Sequence, residues 1–170
     1  AVAYARERLQ GRAPGDTADA APIVRHPDVR RMLMSMRSRI EAMRALCYWA
    51  AWVQDAAARH PDPDRRAHHA TLADLVTPVV KGWCTETGLE IAQLAIQVHG
   101  GTGYVEETGV AQHLRDLRVS TIYEGTTGIQ ANDLVTRKVA RDGGAAIGAL
   151  IAAMRADAQQ LGAAGAASHA

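Results

Sequence analysis

Apolar residues recur at helical spacing along most of the chain. After His26-Pro27-Asp28 they fall at Val29, Met32, Leu33, Met36, Ile40, Met43, Leu46, Cys47, Ala50 and Val53. That single stripe predicts one long helix. Pro27 suits a first turn, where its missing N–H costs nothing, and Asp28 suits the positive end of the helix dipole. Arg30, Arg31, Arg37, Arg39 and Arg44 lie mostly off the stripe, and the methionines along it read as core filler. Pro61-Asp62-Pro63-Asp64 ends this helix. A second is predicted over about 66–98, its stripe Leu72, Leu75, Val76, Val79, Trp83, Ile91, Leu94 and Val98, with Pro78 expected to kink or break it. Shorter helices are predicted over 108–118 and 128–141, the latter with Ile129, Leu134, Val135 and Val139 inward. Gly143-Gly144 separates off a last helix over 145–161, carrying Ile147, Leu150, Ile151 and Met154, before a tail expected to fray. In front, helical character spans 2–9 and a Gly, Pro and Asp-rich loop spans 11–22. The expectation is an all-α fold: an antiparallel, four-helix-bundle-like domain whose two longest helices pair.

Composition narrows the function classes. Hydrophobic residues make up 48% and charged residues 22%, the balance of a globular rather than a disordered chain. Aromatics are 4%, with no Phe, which argues against a β-sheet domain. Nineteen Lys and Arg against eighteen Asp and Glu leave a net charge of +1, too little to gather nucleic acid. No apolar run reaches the roughly 18 residues of a membrane span, and the charged opening AVAYARERLQG has no secretory pattern. Cys47 and Cys84 lie far apart in helical segments and match no metal or disulfide spacing, which fits a reducing, cytoplasmic setting. His68 and His69 are adjacent and cannot share a helix face, so no metal site is expected.

Two breaks between helices carry unusual residues. At Gln97-Val98-His99-Gly100-Gly101-Thr102-Gly103-Tyr104 the glycines fit a plain helix end and turn, or a backbone that a ligand can approach closely. At Ile122-Tyr123-Glu124-Gly125-Thr126-Thr127-Gly128-Ile129-Gln130, Glu124 stands before a helix. One reading is electrostatic, an acid at a helix N-terminus capped by Thr126 or Thr127. The other is a carboxylate at the mouth of a cleft, with Ile122 and Tyr123 drying it and tuning it toward a general base.

Together these segments resemble the C-terminal helical domain of the acyl-CoA dehydrogenases. The resemblance runs from Tyr4 to about Arg141. It rests on Tyr4-Ala5-Arg6-Glu7-Arg8 (the family's YAxER), on His26, on the glycine turn at 97–104, on Leu114-Arg115-Asp116 and on the IYEGTxxIQ segment at 122–130. HPDVRRMLMSMRS, QVHGGTGY and the tail after ARDGG resemble its large bacterial branch, of the 3-methylmercaptopropionyl-CoA dehydrogenase type.

The resemblance implies a flavoprotein that oxidises the α,β bond of an acyl-CoA with FAD, in fatty acid metabolism. Glu124 is implied as the catalytic base that removes the pro-R α-proton, its backbone N–H bonding the thioester carbonyl together with a flavin ribityl hydroxyl. Gly125 and Tyr123 are implied in substrate binding. Arg8, Gln10, Gln97, Gly100 and Gly101 are implied near the flavin pyrophosphate of a neighbouring subunit, Thr126 and Gly128 at the dinucleotide, and His26 as a further flavin contact. Arg115 and Asp116 are expected in an internal ion pair or at a helix end. Departures from the family pattern are Gln10 for Thr, Gly11-Arg12 for Phe-Gly, Pro27 for Gln and Gly128 for Gln. Implied partners are acyl-CoA, an electron-transfer flavoprotein or similar acceptor, and further copies in a homodimer or homotetramer. The expected layout is the family domain over 1–142, truncated in front within a helix, and the start of a helical extension over 143–170. Without the family's N-terminal helical and middle β domains, the isolated piece is expected to be inactive. The alternatives are a non-catalytic helical oligomerisation module and an acyl-CoA oxidase-type reaction.

Overall fold

The computed structural model describes residues 1–15, 17 and 19–167. Its regular elements are helical: α1 (Val2–Glu7), α2 (Pro27–Arg59), α3 (Pro63–His99), α4 (Gly101–Tyr104), α5 (Val110–Arg118), α6 (Thr127–Asn132) and α7 (Ala145–Ala167). Single 3-10 turns cover Ile23–Arg25, Glu106–Thr108, Val119–Thr121 and Ala140–Asp142, and a π-helical stretch covers Asp133–Val139. An isolated antiparallel bridge joins Leu9 to Pro22. The fold class is all-α, as the apolar spacing predicts.

Several boundaries move for local reasons. α1 stops at Glu7, two residues early, because Arg8 turns extended and the following backbone pairs with the far end of the loop: Gln10 N–H donates to Ala21 O at 3.0 Å, and Ile23 N–H to Arg8 O at 2.8 Å. α3 starts at Pro63, not near residue 66. Asp62 Oδ1 accepts from Asp64 N–H at 2.9 Å, so Asp62 caps the helix that Pro63 opens. α3 then runs unbroken through Pro78, so the break expected there is absent. The predicted fourth helix is instead a short α6 continued by the π-helical stretch. α7 extends past the expected end at 161 to Ala167; residues 168–170 of the expected frayed tail lie outside the described residues.

The chain packs as two compact units. The first comprises Ala1–Trp49 and Val80–Thr127. Its core is Ala5, Ile23, Met32, Met36 and Val98, ringed by Tyr4, Val24, Val29, Leu33, Ile91, Leu94 and Ala95. Met32 and Met36 of the predicted methionine seam are thus core, each contributing roughly 2 kcal/mol, while Met43 is half-buried. Within this unit Arg39 pairs with Glu90 and Cys47 meets Cys84, so α2 and α3 run antiparallel. Helix pairing thus brings together two cysteines that stand 37 positions apart in sequence.

The second unit comprises Ala50–Val79 and Gly128–Ala170. Ala50, Val53, Leu75, Val76 and His69 are buried. Trp52 meets His69 edge-on, with ring centroids 5.1 Å apart. Asp74 of α3 takes both Lys138 and Arg141. Asp142 accepts from Gly144 N–H at 3.0 Å and Ala146 N–H at 2.9 Å, fixing the start of α7.

Not every predicted inward position is buried. Ile40, Cys47, Val79, Trp83, Ile129, Val135, Ile151 and Met154 are exposed. At Val135 the π-helical stretch explains the difference, since its wider turn rotates the face that a 3.6-residue period assigns.

Candidate active site

The glycine turn is shaped by backbone crowding. α3 ends where Gly100 takes φ 61°, and the chain doubles back into α4. A Cβ on Gly103 would stand 2.6 Å from Ile96 O and 2.8 Å from His99 Cβ, so only glycine fits. At Gly100 and Gly101 a Cβ would meet nothing within 4 Å, which leaves their backbone open to approach. Tyr4 holds the turn from α1. Its ring stacks on His99 at 4.4 Å, and its hydroxyl accepts from Thr102 Oγ1 at 3.1 Å. His99 Nδ1 is anchored 2.7 Å from Ala95 O.

Beside this turn lies a cleft of about 430 Å³, wholly within the first unit. It gathers Arg8, Gln10, His26, Gln97 and Gly100, five of the eight predicted cofactor residues, over apolar Ile23, Val29 and Val98. His26 Nε2–H donates to Gln10 O at 2.8 Å, tying the start of α2 to the chain after α1. Tyr4 and His99 also line the cleft and are absent from the predicted site residues. The YAxER run and the HGG triplet contain them, but spacing gives no sign that their rings stack.

The second break is built differently. Glu124 takes φ 52°, the one non-glycine residue in the left-handed region among the described residues, and Gly125 follows at φ 84°. Such a backbone costs about 1–2 kcal/mol for a residue with a side chain and needs outside support. α3 supplies it. Lys81 Nζ donates to the Gly125 carbonyl, and Thr127 Oγ1 donates to Glu86 Oε1 at 2.5 Å. Lys81 and Glu86 were missed by sequence reasoning because they lie about 40 positions away with no motif around them.

Glu124 is exposed, and Ile122 and Tyr123 are each 53% exposed. The expected drying of the carboxylate by these two side chains is therefore not achieved within this chain. Tyr123, Glu124, Gly125 and Thr126 belong to the first unit but do not line the 430 Å³ cleft, nor does Gly101; Gly128 belongs to the second unit. Arg115 binds Glu106 with both guanidinium nitrogens, at 2.8 and 2.6 Å, while Asp116 accepts from Gln112 Nε2 at 2.5 Å. Arg115 also donates to Gln112 Oε1 at 2.7 Å, so the Gln112 amide links Arg115 and Asp116 while the ion pair of Arg115 is with Glu106. Among the described residues no group of three or more His, Cys, Asp or Glu could hold a metal ion, and no helix is long and apolar enough to cross a membrane.

A helical unit with an open glycine turn and a carboxylate on a braced left-handed loop is the frame on which known proteins can be compared. The C-terminal domain of acyl-CoA dehydrogenases matches residues 1–139. The chain belongs to the acyl-CoA dehydrogenase family. It is 52% identical over 145 residues to the 3-methylmercaptopropionyl-CoA dehydrogenase of Ruegeria pomeroyi, covering 85% of this chain and 24% of that protein. It is 38% identical over 152 residues to the broad-specificity linear acyl-CoA dehydrogenase FadE5 of Mycobacterium tuberculosis, covering 86% and 25%. Among solved structures it is similar to butyryl-CoA dehydrogenase from Megasphaera elsdenii, with a TM-score of 0.56 at 29% identity over 78% of this chain and 29% of that one. The chain therefore spans about a quarter of the length of these curated relatives.

Proposed function

We propose that this chain supplies the catalytic base and part of the flavin-binding surface of an FAD-dependent acyl-CoA dehydrogenase. The observation that carries the reading is the Tyr123-Glu124-Gly125 loop, which puts a carboxylate on a left-handed turn that α3 braces from two sides.

The cleft residues fit a phosphate-bearing dinucleotide. Arg8 offers a permanent cation, Gln10 and Gln97 offer amides, and Gly100 and Gly101 leave backbone that no side chain covers. FAD, when bound, supplies the hydride acceptor for the substrate β-carbon. Arg8, Gln10, His26, Gln97, Gly100 and Gly101 would hold the flavin of a neighbouring subunit, and Thr126 and Gly128 its dinucleotide portion. The Glu124 carboxylate takes the α-proton. Its backbone N–H donates to the thioester carbonyl, so the carbonyl is polarised as the proton leaves. Gly125, lacking a side chain, lets the substrate lie against the loop, and Tyr123 shapes the acyl pocket. Because Glu124 is exposed within this chain, exclusion of water falls to groups that cover the loop in the assembled enzyme. The isolated 170-residue piece accordingly binds flavin weakly and turns over nothing.

Glu124→Gln in the intact enzyme should lower kcat for acyl-CoA dehydrogenation by at least about 100-fold while leaving flavin content unchanged. An artificial electron acceptor provides the assay, and normal turnover would remove Glu124 from the role of base. Oxygen consumption in the same assay separates dehydrogenase from oxidase chemistry. A second reading, a helical assembly module, is favoured by one observation: Met34 and Tyr48 on α2 are 69% and 68% exposed. Light scattering beside a flavin absorbance spectrum decides between them, since an oligomer without flavin favours assembly alone.

A further inference from the structure

Away from the braced loop, α2 and α3 of the first unit bring two free thiols together. Cys47 Sγ and Cys84 Sγ are 3.9 Å apart, with Cys47 exposed and Cys84 half-buried. No motif or comparison assigns them a role. We propose that Cys47 and Cys84 form an oxidation site, at which a peroxide converts the pair to a disulfide that ties α2 to α3.

The geometry is close to what the bond requires. A disulfide holds its sulfurs about 2.05 Å apart, so the pair must close by about 1.9 Å, a movement within reach of side-chain rotation and a small helix adjustment. Each cysteine is held by a long helix, so the two thiols stay opposed. A metal reading is weaker, because no third His, Cys, Asp or Glu completes a ligand group with them among the described residues.

The surroundings divide the chemistry between the two sulfurs. Burial first, then the charge and hydrogen bond of the neighbouring Cys47, push the Cys84 thiol up to about 11. Cys84 therefore stays protonated at neutral pH and is a poor first nucleophile. Exposed Cys47 meets the peroxide. Its thiolate attacks one peroxide oxygen, the O–O bond breaks, and Cys47 becomes a sulfenic acid as hydroxide leaves. The Cys84 sulfur then attacks the Cys47 sulfur and loses its proton. The S–O bond breaks, water leaves, and the S–S bond forms. In sum, two thiols give up two electrons and two protons, and hydrogen peroxide becomes two molecules of water. A dithiol reductant reverses the product by exchange.

The test uses the purified protein and hydrogen peroxide as the probe. After treatment, free thiols are alkylated and unreduced peptides are mapped by mass spectrometry. The expected result is joint loss of the Cys47 and Cys84 thiols, appearance of one peptide linking them, and return of both thiols with dithiothreitol. Cys84→Ser should leave Cys47 as a sulfenic acid trapped by dimedone, and Cys47→Ser should leave Cys84 alkylatable after the same exposure. Over-oxidation of wild-type Cys47 beside an intact Cys84 thiol would overturn the proposal. So would two unreacted thiols, or a bond formed only between chains, visible as a dimer on a non-reducing gel. Should either variant fail to fold, the linked peptide from the wild-type protein decides alone.

Discussion

Both compact units draw on α2 and α3, but different forces lock those helices in each. The first unit closes over an apolar core of Ala5, Ile23, Met32, Met36 and Val98, and its turns are set by backbone crowding at Gly103 and by hydrogen bonds to the 124–127 loop. In the second unit, Asp74 joins Lys138 and Arg141, and buried His69 sits among His60, His68 and Trp52. Hydrophobic packing and steric fit are indifferent to pH. Ion pairs and buried imidazoles are not. The first unit has ion pairs of its own, Arg39 with Glu90 and Arg115 with Glu106, but the groups held clearly below their ordinary values, His69, Asp74 and Asp142, lie in the second unit, so acid should reach that unit first, and substitutions can probe the contrast.

The largest effect is expected from Gly103→Ala. The new Cβ meets backbone on α3 that cannot swing aside, and overpacking of this kind costs about 3 kcal/mol. Differential scanning calorimetry should show a clear fall in melting temperature, and an unchanged melt would mean the turn yields freely. Lys81→Met comes next. Loss of the donor to the Gly125 carbonyl should cost about 1–2 kcal/mol and speed amide exchange across 124–127, leaving α1 and the start of α2 protected.

Acid should then separate the units. Burial first, followed by the charges of His68, His60 and Arg65, lowers the His69 pKa below its ordinary 6.5. The folded form thus binds fewer protons than the unfolded chain, and stability falls as pH drops from about 6.5 through the folded value. Hydrogen exchange between pH 7 and 5 should rise in 50–79 before it rises in 27–49. His69→Leu should flatten that dependence without loss at neutral pH, because Nδ1 is buried with no partner. Lower still, the hydrogen bond from Lys138, opposed by burial and reinforced by Arg141, keeps the Asp74 carboxyl below its ordinary 3.8. Its contribution is complete above that value and disappears as pH falls through the folded one, and Asp74→Asn should remove this last step. The smallest change is expected from Thr127→Val, about 0.5–1 kcal/mol from the lost bond to Glu86, read in the same melts.

Local chemistry made the long helices and both breaks legible. Pro27 with Asp28, the methionine stripe and the Gly100-Gly101 pair each declare their structure within a few residues. Arg8, Gln10, His26, Gln97 and Gly100 were singled out through their place in family motifs, and the fold collects them in one cleft. What could not be read depends on partners far along the chain. Lys81 supports Gly125 across 44 positions, Tyr4 stacks on His99 across 95, and Cys47 meets Cys84 across 37. A helical period says which residues share a side of one helix, not which residues of another helix will face them. Pro63 was misjudged for a subtler reason: the same Pro-Asp run that stops one helix also starts the next, with Asp62 as its cap.

The π-helical stretch Asp133–Val139 carries its own consequence. A wide turn of this kind is a helix holding one surplus residue between two fixed ends. Excising a single amino acid there would let the ordinary ladder of amides close over the same span. Length variation is thus better tolerated at this point than anywhere in α2 or α3, and a shortened sibling of this chain would have its gap here.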